Sequence, residues 1–369
     1  MSSAELTSRH SKRQKDDHAD AADTLQACLL EGVSRTFALT IPCLPPALLR
    51  PVANAYLLCR IVDTIEDETS LDSSEKRLFC EQFVRVVQDR ECAESLSRAL
   101  APRLSDTTSP AEHELIKLIP EVVAITRALD LPQHEALADC VRIMAGGMAT
   151  FQDRDLRYGL QSLEETSRYC YFVAGVVGEM LTRLFCHYSA DIAVHRQQMM
   201  ALSVSFGLGL QMTNILKDLW DDHGRGVCWL PQDLFAQTGY DLKNLRPGHN
   251  DPQFRSGLIR MVGITRGHLR NALRYTLLIP PNEPGIRDFC LWALGMAILT
   301  LRKIHANPDF SASVQVKISR KAVKATVLTT RLCHSSDTLL KTVFSLAGYG
   351  LPGAIDPIVA VDSCSTINS

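Results

Sequence analysis

From residue 24 onward, apolar residues recur at intervals of three and four, interrupted by short clusters of Pro, Gly, Asp and Ser. That interval is the helical one, and the two-residue alternation of a half-buried strand is scarce. Windows 74–88, 111–128, 133–148, 163–188 and 196–221 carry the helical period most clearly. Breaks at 42–46, 105–110, 132, 231–240, 247–252 and 280–284 separate helices. The pattern predicts an all-α fold, with one multi-helix domain over 24–330. A polar stretch of mixed charge over 1–23 reads as a disordered tail. Residues 331–369 form an extension whose order the pattern leaves open.

Two windows set polar groups in line along otherwise apolar helices. Tyr56, Arg60, Asp63 and Asp67 stand at offsets 0, 4, 7 and 11, with Glu66 on the flank. At about 100° per residue they share one stripe, while Leu57, Leu58, Ile61, Val62 and Ile65 fill the other sides. Gln211, Asn214, Asp218 and Asp222 repeat the arrangement at offsets 0, 3, 7 and 11, with Lys217 and Arg225 close by. A buried carboxylate without a partner is costly. Each stripe alone also reads as a solvated acidic face with internal ion pairs. Two such stripes facing one cavity would repel strongly unless divalent cations stood between them. Magnesium suits such oxygen ligands and gathers phosphates. The pair is therefore a device for drawing a diphosphate off an allylic carbon. A third window carries Tyr169, Val173, Val177 and Met180, with Ala174, Gly175 and Gly178 interleaved. It reads either as the wall of a long apolar cavity or as close helix packing.

Composition narrows the partners. The 369 residues carry a net charge of -2, which argues against nucleic acid, a partner that usually requires a basic patch. Twelve cysteines are scattered without a CxxC pair or a Cys/His cluster, as in a reduced cytosolic protein. Residues 1–20 hold no apolar signal core. No transmembrane helix is expected: the best stretch, 339–361, is interrupted by Gly348, Gly350, Pro352, Gly353 and Pro357. The expectation is a cytoplasmic monomer, with peripheral membrane contact left open.

Five segments in order resemble the squalene/phytoene synthases: SRTF at 34–37, YLLCRIVDTIEDE at 56–68, GMATF at 147–151, YCYFVAGVVG at 169–178, and QMTNILKDLWDD at 211–222 followed by RGVCWLP. The resemblance covers about 29–327. It implies an isoprenoid synthase fold around a central cavity and a magnesium-dependent prenyltransferase acting on isoprenoid diphosphates. Carried over by position, Asp63, Glu66, Asp67, Asn214, Asp218 and Asp222 are implied metal ligands. Arg35, Arg60 and Arg225 are implied diphosphate contacts, Tyr56 and Gln211 substrate contacts, Tyr169 the group beside the first carbocation, and Val173 and Val177 isoprenoid contacts. The family's usual arginine between the second-stripe ligands is Lys217 here, which keeps the charge and loses the bidentate fork.

DTIEDE and GMATF resemble the squalene branch, which reduces its last cation with NADPH. FCLWALGMAI at 289–298 and VKISRKAV at 316–323 resemble that branch's NADPH region, implicating Phe289, Lys317, Arg320 and Lys321. That branch's usual Pro in the first segment is Ala293 here, and no GxGxxG fingerprint is present. Branches that make phytoene or dehydrosqualene without reduction, or stop at the cyclopropyl diphosphate, stay open. A cyclase of a single diphosphate also uses two metal motifs, but lacks this pairing of DxxED with YCYFVAG. A non-catalytic assembly factor would lose carboxylates that are all present here.

Overall fold

The computed structural model describes residues 21–34, 36–248 and 251–356, and these are helical apart from turns and one isolated bridge between Leu160 and Pro231. The expected tail lies outside the described residues as far as 20, while 21–23 open a helix that runs to 33. The chain divides into two compact units, one ending at Ala149 and the other beginning at Thr150.

The N-terminal unit is built on α1 (Pro46–Asp67), which starts with a proline in its first turn, where no backbone donor is lost. Leu57, Leu58, Ile61, Val62 and Ile65 are fully buried on it. Against it pack α2 (Ser73–Val87), α3 (Pro110–Lys117), the helix Ile119–Arg127 and α4 (Leu131–Ala149). The buried amide of Asn54 fixes the register. Its Nδ2 donates to Thr126 Oγ1 at 2.6 Å and to the Val122 carbonyl at 3.2 Å, and its Oδ1 accepts from Gln26 at 3.0 Å. The predicted helix at 111–128 is two, divided at Leu118 with Pro120 opening the second. Pro132, read as a break, lies inside the first turn of α4.

The C-terminal unit centres on α7 (Arg196–Gly224). Before it come α5 (Leu163–Cys170), a π-helical turn (Tyr171–Gly175) and α6 (Val176–Tyr188); after it come α8 (Pro252–Leu277) and α9 (Pro284–Ala306). Glycines set the closest crossing. A side chain at Gly207 would overlap the Ala174 carbonyl, and one at Gly178 would overlap the Ser203 carbonyl. On the α8 side, His268 Nδ1 meets Ser205 Oγ at 2.8 Å, and burial pushes the imidazole down to about 4.

Helix α10 (Arg320–Cys333) runs across the expected domain end at 330, and the extension beyond it contributes α11 (Asp337–Ala347), both packed on α9. The fully buried Arg287 secures them. Its guanidinium donates to the Ile279 carbonyl at 2.7 Å and the His334 carbonyl at 2.6 Å, and it pairs with Asp337 at 2.9 Å. This unit does not bear out the membrane expectation. Leu163–Tyr188, Arg196–Gly224 and Pro284–Ala306 are each long and apolar enough to cross a membrane by length and composition, where the sequence reading found no candidate. Half or more of each apolar window is buried in the fold, as in helices that are apolar all round because neighbours surround them.

Candidate active site

The first stripe forms as its spacing predicts, on the last three turns of α1. Tyr56 stacks at a tilt on Phe37 at 4.8 Å, and its hydroxyl reaches the Val33 carbonyl at 3.5 Å. Arg60 lies 4.0 Å from Asp63 and donates to Glu112. Glu112 was not singled out from sequence. Ser109 and Glu112 form a capping box at the start of α3, and the carboxylate's second oxygen takes Arg60. The S-x-x-E spacing signals the box but not its long-range partner.

Charge along the end of α1 is uneven. Burial pushes Asp63 up to about 7; Arg60 pulls it down, while Asp67, Glu66 and Glu112 add to the rise. Burial likewise pushes Glu66 up to about 7, with Asp67 adding and Lys76 opposing. Glu68, the next carboxylate, behaves oppositely. Burial raises it, but hydrogen bonds outweigh that and hold it down to about 2. It accepts from Ser105 N at 3.0 Å, Ser70 N at 2.8 Å and Thr108 Oγ1 at 2.7 Å. Glu68 is thus a structural pin and Asp63 a group poised to change charge. Asp67 is exposed, and Arg35 lies outside the described residues.

The second stripe runs along the C-terminal half of α7, whose buried sides are Met212, Ile215, Leu216 and Leu219. Lys217 Nζ donates to Asn214 Oδ1 at 2.9 Å and pairs with Asp218 at 3.2 Å. Gln211 is half-buried one turn before Asn214. Burial raises the Asp222 carboxyl, and Arg225, donating from the end of the helix at 2.5 Å, opposes the rise. Asp221 is set apart from its neighbour: it accepts from Ser313 Oγ at 2.5 Å and ties the helix to the turn Ser313–Gln315.

The third window departs from the spacing argument. Tyr171–Gly175 is π-helical, so the 3.6-residue period does not carry from Tyr169 through Val173 to Val177. Tyr169 is buried between Phe151, edge-on at 5.5 Å, and Trp229, stacked at 3.7 Å. Val173 and Val177 are half-buried. The interleaved glycines serve helix packing, with Gly175 against Val204 and Leu208. Trp229 sits in the RGVCWLP segment and was passed over because stacking leaves no periodic trace.

The four residues implicated in NADPH binding do not converge. Phe289 is buried against Phe185 in the half of α9 that meets the C-terminal end of α10, where Asp288 bonds His334. Lys317, Arg320 and Lys321 are exposed around the N-terminus of α10, about 20 Å away at 1.5 Å per residue. The basic trio suits a phosphate; Phe289 is a core residue.

Among the described residues, no three His, Cys, Asp or Glu side chains converge into a ready-made metal centre. The donor set nevertheless fits magnesium. It is all oxygen, it offers one or two carboxylates per helix, and such ions complete their shell with water and substrate phosphate. At Asp63 and Glu66 burial outweighs the opposing charges of Arg60 and Lys76, so both carboxyls stay raised.

The squalene synthases of Gibberella zeae and Botryococcus braunii are each 29% identical, over 307 and 323 residues, covering 81% and 86% of this chain and 63% and 65% of their own. That of Solanum lycopersicum is 31% identical over 302 residues, 79% of this chain and 66% of its own. The chain thus spans just under two thirds of the length of these relatives. Among solved structures, TcSQS with the ligand BPH1237 superposes with a TM-score of 0.71 at 22% identity, covering 93% of this chain and 94% of that one. A dehydrosqualene synthase in complex with a ligand gives 0.62 at 15% identity, covering 89% and 99%. The fold is therefore the all-α isoprenoid synthase fold. Residues 30–322, which hold both acidic stripes and the stacked tyrosine, match the family described as squalene/phytoene synthase, and the chain belongs to that family.

Proposed function

We propose that this protein joins two molecules of farnesyl diphosphate head to head, through presqualene diphosphate, and reduces the product to squalene with NADPH. The observation that carries the reading is the pair of polar stripes, each at helical spacing on a helix whose other sides are buried. Magnesium, when bound with substrate, would neutralise charge on the leaving diphosphate. Asp63, Glu66, Asp67, Asn214, Asp218 and Asp222 are the residues we assign to hold it.

Arg60 and Arg225 donate to diphosphate oxygens as the C1–O bond breaks and its electron pair leaves with the phosphate. Arg35 is assigned the same role from the family resemblance. Such contacts accelerate ionisation only as far as they strengthen while charge develops. The double bond of the second substrate attacks the allylic C1, and loss of a proton closes the cyclopropane. We assign Tyr169 to that step, where it stabilises the cation or its hydroxyl takes or passes the proton. Tyr56 and Gln211 orient the substrates, and Val173 and Val177 pack along their chains.

The diphosphate of presqualene diphosphate then leaves against the same residues, the electron pair of its C–O bond going with the phosphate; NADPH, when bound, would supply the hydride to the rearranged cation that ends the reaction as squalene, with Lys317, Arg320 and Lys321 taking the cofactor's phosphates. One observation favours a second reading, in which reduction is absent and the product is dehydrosqualene, phytoene or presqualene diphosphate itself: Phe289 does not reach the basic trio. We place the protein in the cytoplasm as a monomer with peripheral membrane contact.

The test is a product assay with farnesyl diphosphate and magnesium, with and without NADPH. Squalene formed only with NADPH is the expected result. Dehydrosqualene or presqualene diphosphate in both tubes would keep the two stripes and remove the reductive step. No consumption of farnesyl diphosphate would overturn the reading for this substrate.

A further inference from the structure

The face that α10 and α11 turn away from α9 is both apolar and basic. On α10, Thr326 meets Gly295 of α9 and Thr330 is buried, so the opposite side of that helix looks outward. At about 100° per residue, Lys321, Lys324, Ala325, Leu328 and Leu332 fall within roughly a third of the circumference on that outward side, while Arg331 at its edge turns back to Asp288 at 3.8 Å and to the Trp292 ring of α9. Leu328 and Leu332 are 62% and 72% exposed. On α11, Leu340 is buried and Phe344 packs on the core, while Leu346 and, just past the helix, Tyr349 stand 66% and 81% exposed, with Lys341 exposed nearby.

Large side chains this open, clustered on two consecutive helices, mark an interaction surface. Its charge selects the partner. Residues 310–336 hold five Lys or Arg and no Asp or Glu, in a chain whose net charge is -2. A second copy of the same face would set these cations against one another. An anionic lipid surface satisfies both features, because leucines enter the acyl boundary while lysines meet the headgroups.

We propose that α10 and α11 form an interfacial docking face that seats the protein on anionic membrane. Three helices elsewhere in this unit are apolar enough to span a bilayer by length and composition, and half or more of each apolar window is buried in the fold. The docking face needs no insertion and leaves them in place. The face shares Lys321 with the NADPH phosphate site proposed above, but vesicle binding is read without substrate or cofactor, so failure of the docking face and failure of the proposed reaction are distinguishable.

The experiment is co-sedimentation of the full chain with phosphatidylcholine vesicles, with and without phosphatidylserine, across a salt series. The expected result is binding to the anionic vesicles that weakens with salt. The triple variant Leu328→Ser, Leu332→Ser, Leu346→Ser should lower the partition coefficient on the order of tenfold or more and leave farnesyl diphosphate consumption in vesicle-free buffer unchanged. A second variant, Lys324→Glu with Lys341→Glu, keeps the apolar residues and should lose binding to anionic vesicles by a similar factor. Binding unchanged in both variants would overturn the proposal, as would equal binding to neutral vesicles without salt dependence. Self-association of the parent that the triple variant abolishes, without vesicle binding, would assign the face to a second copy and also overturn it.

Discussion

On α1, burial drives Asp63 and Glu66 up to about 7, while the nearby Arg60 is drawn toward Glu112. On α7, the protein supplies cations of its own: Lys217 bridges Asn214 and Asp218, and Arg225 pairs with Asp222. Spacing is nearly the same on the two helices, and charge balance is not. Burial keeps the first stripe's carboxyls raised despite Arg60 and Lys76; the second stripe has a side-chain ammonium between two of its oxygens. The difference suggests a division of labour, in which the first stripe gains most when metal and diphosphate arrive.

The largest effect that sharpens this contrast is on Arg60. Arg60→Met leaves Glu112 and Asp63 without their cation and removes a diphosphate donor, so turnover should fall on the order of 10²-fold. Steady-state kinetics on farnesyl diphosphate checks this.

A second contrast lies within α1 itself, and it is read from stability without magnesium. Asp63 has a folded-state pKa above the ordinary carboxylate value, so the folded protein binds more protons than the unfolded chain between about pH 4 and 7. Stability then falls as pH rises through that window. Asp63→Asn removes the penalty and should stabilise the protein at pH 8 by about 2 kcal/mol, discounted because 27% of the side chain is exposed. The gain should vanish near pH 4. Glu68 has the opposite sign. Its depressed pKa contributes stability above the ordinary glutamate range, and that is lost as pH falls toward 2. Glu68→Gln should therefore destabilise by about 1–2 kcal/mol at pH 8. Thermal melts at both pH values separate the two. Both variants destabilising alike at pH 8 would erase the distinction between poised and structural carboxylates.

The smallest effect is expected at Lys217. Because Arg225 remains on the same stripe, Lys217→Met should cost turnover only a few-fold, near the low end for a half-buried ion pair. A loss as large as that of Arg60→Met would make the two stripes equivalent and break the comparison.

Much of this was legible in the sequence, because helical period is local. The windows at 74–88, 133–148 and 196–221 return as helices within three residues at either end, and both stripes follow from offsets alone. What escaped has identifiable physical causes. The π turn at Tyr171–Gly175 changes the residues per turn without changing composition. Glu112 meets Arg60 across 52 residues, and Glu68 draws on Ser105 and Thr108 some 40 residues away, so neither leaves a periodic mark. Phe289 sits in a motif that resembled a cofactor region, but the packing of α9 against Phe185 decides its surroundings.

The most direct test of the central claim is release of inorganic diphosphate from farnesyl diphosphate at saturating magnesium, measured for the parent, Asp63→Asn and Asp218→Asn side by side. Both substitutions keep size and remove one charge. With each stripe required for ionisation, both variants should stay folded and lose on the order of 10³-fold in release rate. Release within tenfold of the parent in either folded variant would contradict the claim that both stripes hold the departing diphosphate.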